Sequence, residues 1–265
     1  MPAKIKFAAR SETGNVRTNN EDNLYCNGII MTVSESGRPF FLNGSTEAPA
    51  LFAVFDGMGG EDCGEVASLK AAEALQNHSR RILRSINNAD KEINNYVSAV
   101  NSELIGFMRS QDIRTGATLV LSVIGTGSFR IYNLGDSRGF RIENGRLLRV
   151  TDDHTVAEEK MRMGLISAAQ AEKSPERHIL TRYLGDDDEY GAIPDASKEY
   201  SFKTHSGGLL CSDGLTDMLT FPEISRIMSA AREPSEAVNM LVDSALKKGG
   251  RDNVTCLVFE ISEGE

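Results

Sequence analysis

The sequence is poor in cysteine, and none of its four cysteines form a CxxC pair. Structural zinc sites commonly draw their thiolates from such pairs, so a zinc cluster is not expected. Cys211 and Cys256 stand inside apolar runs and are expected to be small core residues. Since thiols of this kind are typical of a reducing compartment, we expect the protein in the cytoplasm.

The sequence also lacks an apolar stretch of about 20 residues, the length that a membrane-spanning helix requires. Its first residues, 1–14, have neither the apolar core nor the small-residue cleavage site of a signal peptide. No internal repeat, low-complexity tract or linker rich in proline, glycine and serine divides the chain. We therefore expect a single domain over residues 1–265, with no membrane segment.

Basic residues are in the minority, with 29 lysines and arginines against 38 aspartates and glutamates and a net charge of −9. A protein that binds nucleic acid needs a basic face for the phosphates, so a nucleic-acid partner or a nuclease activity is not expected. An acidic excess is commonly no more than a solvated surface. The alternative is that some of the carboxylates gather around a cation.

Short runs rich in β-branched and aromatic residues, bounded by turn residues, predict strands. Asn144-Gly145 predicts a hairpin, because this dipeptide tolerates positive φ at both turn positions. Residues 34–50 are rich in turn formers and are expected to form a loop or a hairpin excursion. The predicted strands are 51–55, 117–125, 129–134, 139–144, 207–212 and 254–261, with an earlier one after residue 22.

Apolar residues at helical spacing predict two long helices and several shorter ones. Because short turns join many of the strands, antiparallel pairing is expected. The fold class is therefore α+β, with two packed antiparallel β-sheets flanked by helices in an αββα sandwich. The predicted helices are 65–83, 90–108, 156–163, 168–172, 222–231 and 235–247.

Acidic residues end or precede several of these strands. Magnesium and manganese ions prefer oxygen ligands, and clustered carboxylates repel one another unless a cation neutralises them. An Asp-Gly pair by itself is ordinary turn chemistry, and no calcium-binding loop of the DxDxDG type is present. The candidate ligands are Glu21, Asp22, Asp56, the carbonyl of Gly57, Asp136, Asp213, Asp217 and Asp252.

Eight ordered motifs resemble those of the metal-dependent protein phosphatases of type 2C (the PPM family), in the form of its bacterial members. The resemblance spans nearly the whole chain and implies a two-sheet fold with a binuclear metal centre at one end. The motifs are RTNNED (17–22), VFDGMGG (54–60), TGATLVL (115–121), NLGDSR (133–138), TDDH (151–154), ILTRYLG (179–185), LLCSDGLTD (209–217) and GGRDNVT (249–255).

The resemblance also implies a role for each candidate. Two core cations, Mn²⁺ or Mg²⁺, are held by Glu21, Asp56, the Gly57 carbonyl, Asp213 and Asp252. In bacterial relatives a third and weaker ion is held by the positions that match Asp136 and Asp213, with Asp217 contributing through water. Asp22 acts mainly through bound water, and Arg17 grips the substrate phosphate with its forked donors.

The implied reaction is hydrolysis of phosphoserine or phosphothreonine by in-line attack of a hydroxide that bridges the two core cations. Many eukaryotic relatives carry a histidine after the Asp-Gly pair as a candidate general acid. Met58 stands there in this sequence, and methionine cannot donate a proton. His154 is expected to bond structurally around its loop, and the other histidines, His78, His178 and His205, are expected on the surface.

Other functions within the same family are disfavoured by particular residues. A pseudophosphatase used as a binding module would lose a core ligand, but all the core carboxylates are present. A regulatory switch phosphatase of the sporulation type generally lacks the flap, which residues 155–195 match here. The flap is expected to set substrate preference and product release. We expect a monomer that acts on phosphorylated proteins and opposes a bacterial serine/threonine kinase.

Overall fold

Two antiparallel β-sheets form the middle of the protein in a computed structural model that describes residues 2–32, 38–59, 63–188, 192–202 and 206–262. The strands, in chain order, are β1 (Lys4–Glu12), β2 (Asp22–Cys26), β3 (Ile29–Ile30), β4 (Phe40–Glu47), β5 (Ala50–Gly59), β6 (Thr115–Ala117), β7 (Leu119–Ile124), β8 (Ser128–Leu134), β9 (Arg138–Glu143), β10 (Arg146–Arg149), β11 (Asp195–Ala196), β12 (Tyr200–Ser201), β13 (Ser206–Cys211) and β14 (Val254–Ser262). The first sheet has the order β10-β9-β13-β14-β1-β4, and the second has the order β11-β8-β7-β5-β2-β3, with β6 on β5 and β12 on β8.

Helices cover the outer face of each sheet. The helices of the described residues are α1 (Gly64–Arg84), α2 (Ala89–Gln111), α3 (Val156–Arg162), α4 (Ala168–Ala171), α5 (Asp213–Thr216), α6 (Phe221–Ala230) and α7 (Pro234–Lys247), with 3₁₀ turns at Ile86–Asn88 and Pro175–His178. The pair α1 and α2 packs on the second sheet, and α6 and α7 pack on the first. This arrangement confirms the predicted α+β fold of two packed antiparallel sheets flanked by helices. Within the described part of the chain, no helix has the length and apolar character needed to cross a membrane.

Strand alternation decides what each side chain of β5 contacts. Leu51, Ala53 and Phe55 belong to the core beneath α1 and α2, whereas Phe52 and Val54 belong to the core between the sheets. The inter-sheet core is built around aromatic rings: the centroids of Phe52 and Phe259 are 5.6 Å apart, and those of Phe7 and Phe52 are 5.1 Å apart. Asp56 continues the inward-facing side of β5 beyond the last apolar residue, which places it at the end of the sandwich.

The predicted strands and helices are all found, with ends shifted by a few residues. The hairpin at Asn144-Gly145 is confirmed, with φ of 52° and 72° at the two turn residues between β9 and β10. Residues 34–50 were expected to form a loop or a hairpin excursion. Residues 40–47 of this stretch form β4 at the edge of the first sheet, a strand that was not among those predicted. Most side chains of this edge strand are exposed, so the sequence shows no clear apolar alternation there. Residues 34–37 of that stretch lie outside the described residues.

One further strand was not predicted, and one histidine was expected in the wrong environment. The long strand β1 lies between β14 and β4, where its buried Ile5 and Phe7 join the inter-sheet core. His78 was expected on the surface but is half-buried, with its ring 5.9 Å from that of Tyr96. Gly60, which belongs to the motif VFDGMGG, and His205, which was expected on the surface, lie outside the described residues.

The inter-sheet aromatic core gives a prediction for stability. Replacing Phe259 with alanine removes a fully buried ring that stacks on Phe52. We expect the free energy of unfolding, measured by urea denaturation, to fall by about 3–5 kcal/mol. The matched control is Phe41→Ala on β4, where the side chain is 47% exposed and the loss should stay within about 0.5 kcal/mol. Equal losses in the two variants would contradict the proposed location of the core.

Candidate metal centre

Four of the predicted carboxylates meet at one end of the two sheets. Asp22 lies opposite Asp56 in the β2–β5 pair. Asp213 follows β13 and Asp252 precedes β14, and because these strands pair antiparallel, the end of one lies beside the start of the other. Burial raises the pKa of Asp56 well above its ordinary value, and the charges of Asp22, Asp213, Asp136 and Asp252 raise it further. An ionised cluster of this kind is unfavourable unless a cation neutralises it.

Asp22 is the most enclosed of these groups. Burial raises its pKa to about 7, and although the hydroxyls of Thr255 and Ser212 favour its charged form, Asp213 and Asp252 oppose it. The Ser212 hydroxyl donates to Asp22 Oδ2 at 2.8 Å. Asp22 Oδ1 is buried and accepts no hydrogen bond from the residues that the structure describes. An unsatisfied buried carboxylate oxygen is costly, and here it belongs to a side chain on which the charges of Asp213 and Asp252 act.

Glycines let three chain segments approach closely around Glu21. The Gly57 amide donates to the Glu21 carbonyl at 3.1 Å. A Cβ on Gly57 would collide with the carbonyl oxygens of Gly64 and Glu21, and a Cβ on Gly64 would lie 2.7 Å from the Glu21 carboxyl carbon. The Glu21 carboxylate therefore lies against the first residue of α1. Burial raises its pKa, an effect that the charge of Arg17 opposes.

Arg17 lies at the rim of the cluster. Its Nη2 donates to Asp252 Oδ2 at 2.8 Å, and its side chain is 51% exposed. Its charge also acts on Glu21 and Asp56. The structure therefore places the only basic residue among the predicted site residues beside the carboxylates, with part of its guanidinium open to solvent.

Asp136 approaches the cluster from the turn between β8 and β9. Gly135 has a φ of +101°, a conformation that lets the turn pass over the Thr118 side chain, which a Cβ at position 135 would strike. The Thr118 hydroxyl accepts a hydrogen bond from the Asp56 amide at 3.1 Å. It also shares a hydrogen bond with the Ser137 hydroxyl at 2.6 Å. Burial and then Asp213 raise the pKa of Asp136 well above its ordinary value.

Asp217 lies one helical turn beyond Asp213, and residues of segment 155–195, the predicted flap, contact both. Arg177 Nη2 lies 3.1 Å from Asp217 Oδ2, and the His178 ring nitrogens lie 3.7 Å from Asp213 and from Asp217. Ligand atoms of His178, Asp213 and Asp217 fall within 4.8 Å of one another. His178 is exposed, as predicted, but its contact with the acidic cluster was missed. No local pattern indicates it, because the contact joins the flap to a distant strand end.

His154 connects the Asp136 turn to the end of the flap. The Gly135 amide donates to His154 Nδ1 at 3.1 Å, so Nε2 carries the proton and donates to Asp195 Oδ2 at 3.2 Å. Arg182 also donates to Asp195. His154 and Arg182 together hold the pKa of the Asp195 carboxyl below its ordinary value. These contacts agree with the structural role predicted for this histidine.

Asn253 is a residue whose role the sequence did not indicate, although it stands in a quoted motif. Its Oδ1 accepts the Glu21 amide at 2.8 Å, and its Nδ2 donates to the carbonyls of Thr13 at 2.9 Å and Asn19 at 2.8 Å. One buried amide side chain therefore fixes both ends of the loop that carries Arg17 and Glu21. Only the folded arrangement shows this, because the partners lie at opposite ends of the chain.

Comparison with known proteins gives consistent matches. The family model described as protein phosphatase 2C matches residues 10–254. The serine/threonine phosphatase stp of Listeria monocytogenes serotype 4b is 31% identical over 255 residues, which cover 95% of this chain and 94% of the relative.

Solved structures are similar over the full length. The crystal structure of the serine/threonine phosphatase PstP/Ppp of Mycobacterium tuberculosis aligns with a TM-score of 0.79 at 29% identity, covering 98% of this chain and 100% of that one. The PstP catalytic domain in complex with two manganese ions aligns with a TM-score of 0.78 at 27% identity, with the same coverage. The predicted resemblance, fold and class of enzyme are confirmed, and the chain belongs to the protein phosphatase 2C family.

Proposed function

We propose that this chain hydrolyses phosphoserine and phosphothreonine in bacterial proteins, with divalent cations held by the carboxylates at the end of the two sheets. The observation that carries this proposal is the buried cluster around Asp56, whose members raise its pKa. Such a cluster is stable as a set of anions only with cations between its members. The names of the relatives support the substrate class, since they are serine/threonine phosphatases.

The residues present fit Mn²⁺ or Mg²⁺. The donors are carboxylate and carbonyl oxygens, which these cations prefer, and Asp22 Oδ1 is a buried acceptor that no donor in the described ranges satisfies. The predicted dependence on these metals agrees with family membership and with a neighbouring structure that holds two manganese ions.

Each residue has a distinct proposed role. Asp22 orders water beside the core ions, and Asp136 and Asp213 hold a third ion. Asp217 contributes to the site of the third ion. The ring of His178 also lies close enough to Asp213 and Asp217 to contribute to that site. The residues proposed to hold the two core cations are Glu21, Asp56, the Gly57 carbonyl, Asp213 and Asp252.

Arg17 is proposed to bind the oxygens of the substrate phosphate. Its ion pair with Asp252 fixes the guanidinium at the rim, and a half-exposed fork of donors suits bidentate contact with phosphate. When bound, the cations supply a nucleophile at neutral pH and positive charge for in-line displacement at phosphorus. Met58 carries no acidic proton, so the proton for the leaving alkoxide does not come from that position.

The wider setting is proposed on similar grounds. We infer a monomer with one phosphatase domain over residues 1–265, in which residues 155–195 form the flap beside the metal centre. The flap contacts described above, from Arg177 and His178 to Asp217, support that placement. We further propose that the enzyme opposes a bacterial serine/threonine kinase in the cytoplasm, where buried thiols such as Cys26 stay reduced.

Asn253 is proposed to position Arg17 and Glu21 without touching the substrate. It binds the backbone on both sides of the loop that carries these two residues. A residue that orients metal ligands commonly affects metal affinity or activity by about 10–100-fold when it is removed.

The main test replaces single carboxylates and follows hydrolysis of p-nitrophenyl phosphate and a phosphothreonine peptide against Mn²⁺ concentration. We expect Asp56→Asn to lose nearly all activity, by about 10³-fold, because charge stabilisation of several kcal/mol depends on this ligand. Asp252→Asn should behave alike. Asp136→Asn should stay active with a weaker dependence on metal, because it removes a ligand of the third ion only.

The control is Asp243→Asn, since this carboxylate pairs with Arg10 and is 52% exposed, away from the cluster. It should leave the rate unchanged. A wild-type rate in Asp56→Asn would show that the ligand assignment is wrong. A wild-type enzyme without activity on either substrate, at any Mn²⁺ concentration, would overturn the proposed function.

A second test addresses Asn253. In Asn253→Ala the loop loses three backbone hydrogen bonds, so we expect the Mn²⁺ concentration for half-maximal activity to rise about 10–100-fold. Asn15→Ala is the matched control, since Asn15 lies in the same loop and donates to Leu246 and Gly249 instead. Mn²⁺ binding followed by calorimetry should change in parallel. Unchanged Mn²⁺ affinity in Asn253→Ala would refute the positioning role.

A further inference from the structure

A cavity of about 400 Å³ opens beside the proposed metal centre. Its lining comes from three parts of the chain: the end of β5, the last turns of α2 with the residues that follow, and the flap at residues 183–187. Its volume falls within the range of about 300–1,000 Å³ that is typical of ligand sites in proteins. None of the residues assigned above as metal ligands lines it.

Met58 connects this cavity to the metal centre. It stands two residues after Asp56 on β5, and the pairing of β5 with β6 continues through Gly59, so the extended geometry holds there. Residues i and i+2 of a strand face the same side, with Cα atoms about 7 Å apart. The cavity therefore begins about two residue lengths from a proposed metal ligand.

The body of the cavity is apolar. Met58, Ile105, Met108, Ile113 and Tyr183 line it. Gly116 makes room for two of these side chains, because a Cβ there would lie 2.7 Å from the Tyr183 ring and 2.9 Å from the Met58 methyl. Methionine side chains adapt to the shape of an apolar partner, so such a lining accepts several kinds of apolar side chain.

The charges around the cavity offset one another. Two basic residues, Arg109 and Arg114, and two acidic residues, Asp112 and Asp187, line the cavity. All four residues are exposed. Two positive and two negative groups at one rim give no net attraction for an acidic or a basic side chain, so the apolar body decides what the cavity takes.

We propose that this cavity receives an apolar side chain of the phosphorylated protein substrate, two or three residues from the phosphoserine or phosphothreonine. The inference rests on the proposed phosphatase function of the adjacent centre. An extended peptide advances about 3.3 Å per residue, so a phosphate at the metal centre places a side chain two or three residues away at the distance of the cavity. Through this contact the enzyme selects among phosphoproteins.

The first experiment uses the wild-type enzyme with Mn²⁺ and a set of phosphothreonine peptides. Leucine, glutamate, lysine or alanine occupies one position at a time, from three residues before the phosphothreonine to three residues after it. We expect kcat/KM to be about tenfold higher for leucine than for alanine at one position two or three residues away, the scale of discrimination that an apolar pocket provides. Glutamate and lysine there should give no gain over alanine.

The second experiment fills the cavity. Ile105 lies on the α2 wall, and in Ile105→Trp we expect the leucine preference to fall from about tenfold to about twofold or less. Ile29→Trp is the matched control, because Ile29 is 46% exposed on β3, at the end of β2 remote from Asp22. It should keep both the preference and the rate with p-nitrophenyl phosphate.

The outcomes separate the two proposals. Loss of all hydrolysis in the wild type, including that of p-nitrophenyl phosphate, is a failure of the proposed function. Active wild-type enzyme with no leucine preference at any position overturns the cavity proposal, and this result does not depend on whether Ile105→Trp folds. A preference for glutamate that Arg109→Ala and Arg114→Ala abolish would also overturn it, since the cavity would then select by charge.

Discussion

Repulsion between buried carboxylates is the constraint on which the rest of the structure depends. Asp22 and Asp56 face each other across a strand pair, and Asp213 and Asp136 act on the same buried space. Carboxylates that share a low-dielectric site favour the protonated form, which binds cations poorly. The ends of the two sheets hold them together in spite of this, because hydrogen bonding and apolar packing elsewhere stabilise the fold. Divalent cations bound between these carboxylates would neutralise the repulsion, so the cluster is interpreted as a metal site.

The supporting contacts explain how short strands hold so much charge in place. Thr118 binds the Asp56 amide, Ser212 binds Asp22, and Asn253 binds the backbone of the loop that carries Arg17. Each contact ties one segment near the centre to another that comes from a different part of the chain. The inter-sheet aromatic core lies behind this layer, so the apolar part of the sandwich ends where the charged part begins.

Much of the site could be predicted because its acids follow or precede apolar strands, which is a local pattern. Asp56 is an example, since the alternation of β5 alone determines which way it faces. Asn253 and His178 could not be assigned in this way: Asn253 bonds to a residue 232 positions away, and His178 reaches Asp213 only because the flap folds back. Strand β4 was missed because an exposed edge strand needs little apolar alternation. The cavity depends on how α2, β5 and the flap meet, which no single segment encodes.

Whether the buried carboxylates require divalent cations is tested most directly by scanning calorimetry of metal-free protein at pH 7 with increasing Mn²⁺. Mn²⁺ at a free concentration of 100 times its dissociation constant stabilises the folded state by about 2.7 kcal/mol. The unfolding temperature should therefore rise by roughly 5–10 °C. Metal-free Asp56→Asn should unfold at a higher temperature than metal-free wild type, because folding at pH 7 no longer requires this buried carboxyl either to stay charged beside its neighbours or to take up a proton. The variant should also respond less to Mn²⁺. A wild-type unfolding temperature that does not change with Mn²⁺, together with a less stable metal-free Asp56→Asn, would contradict this account.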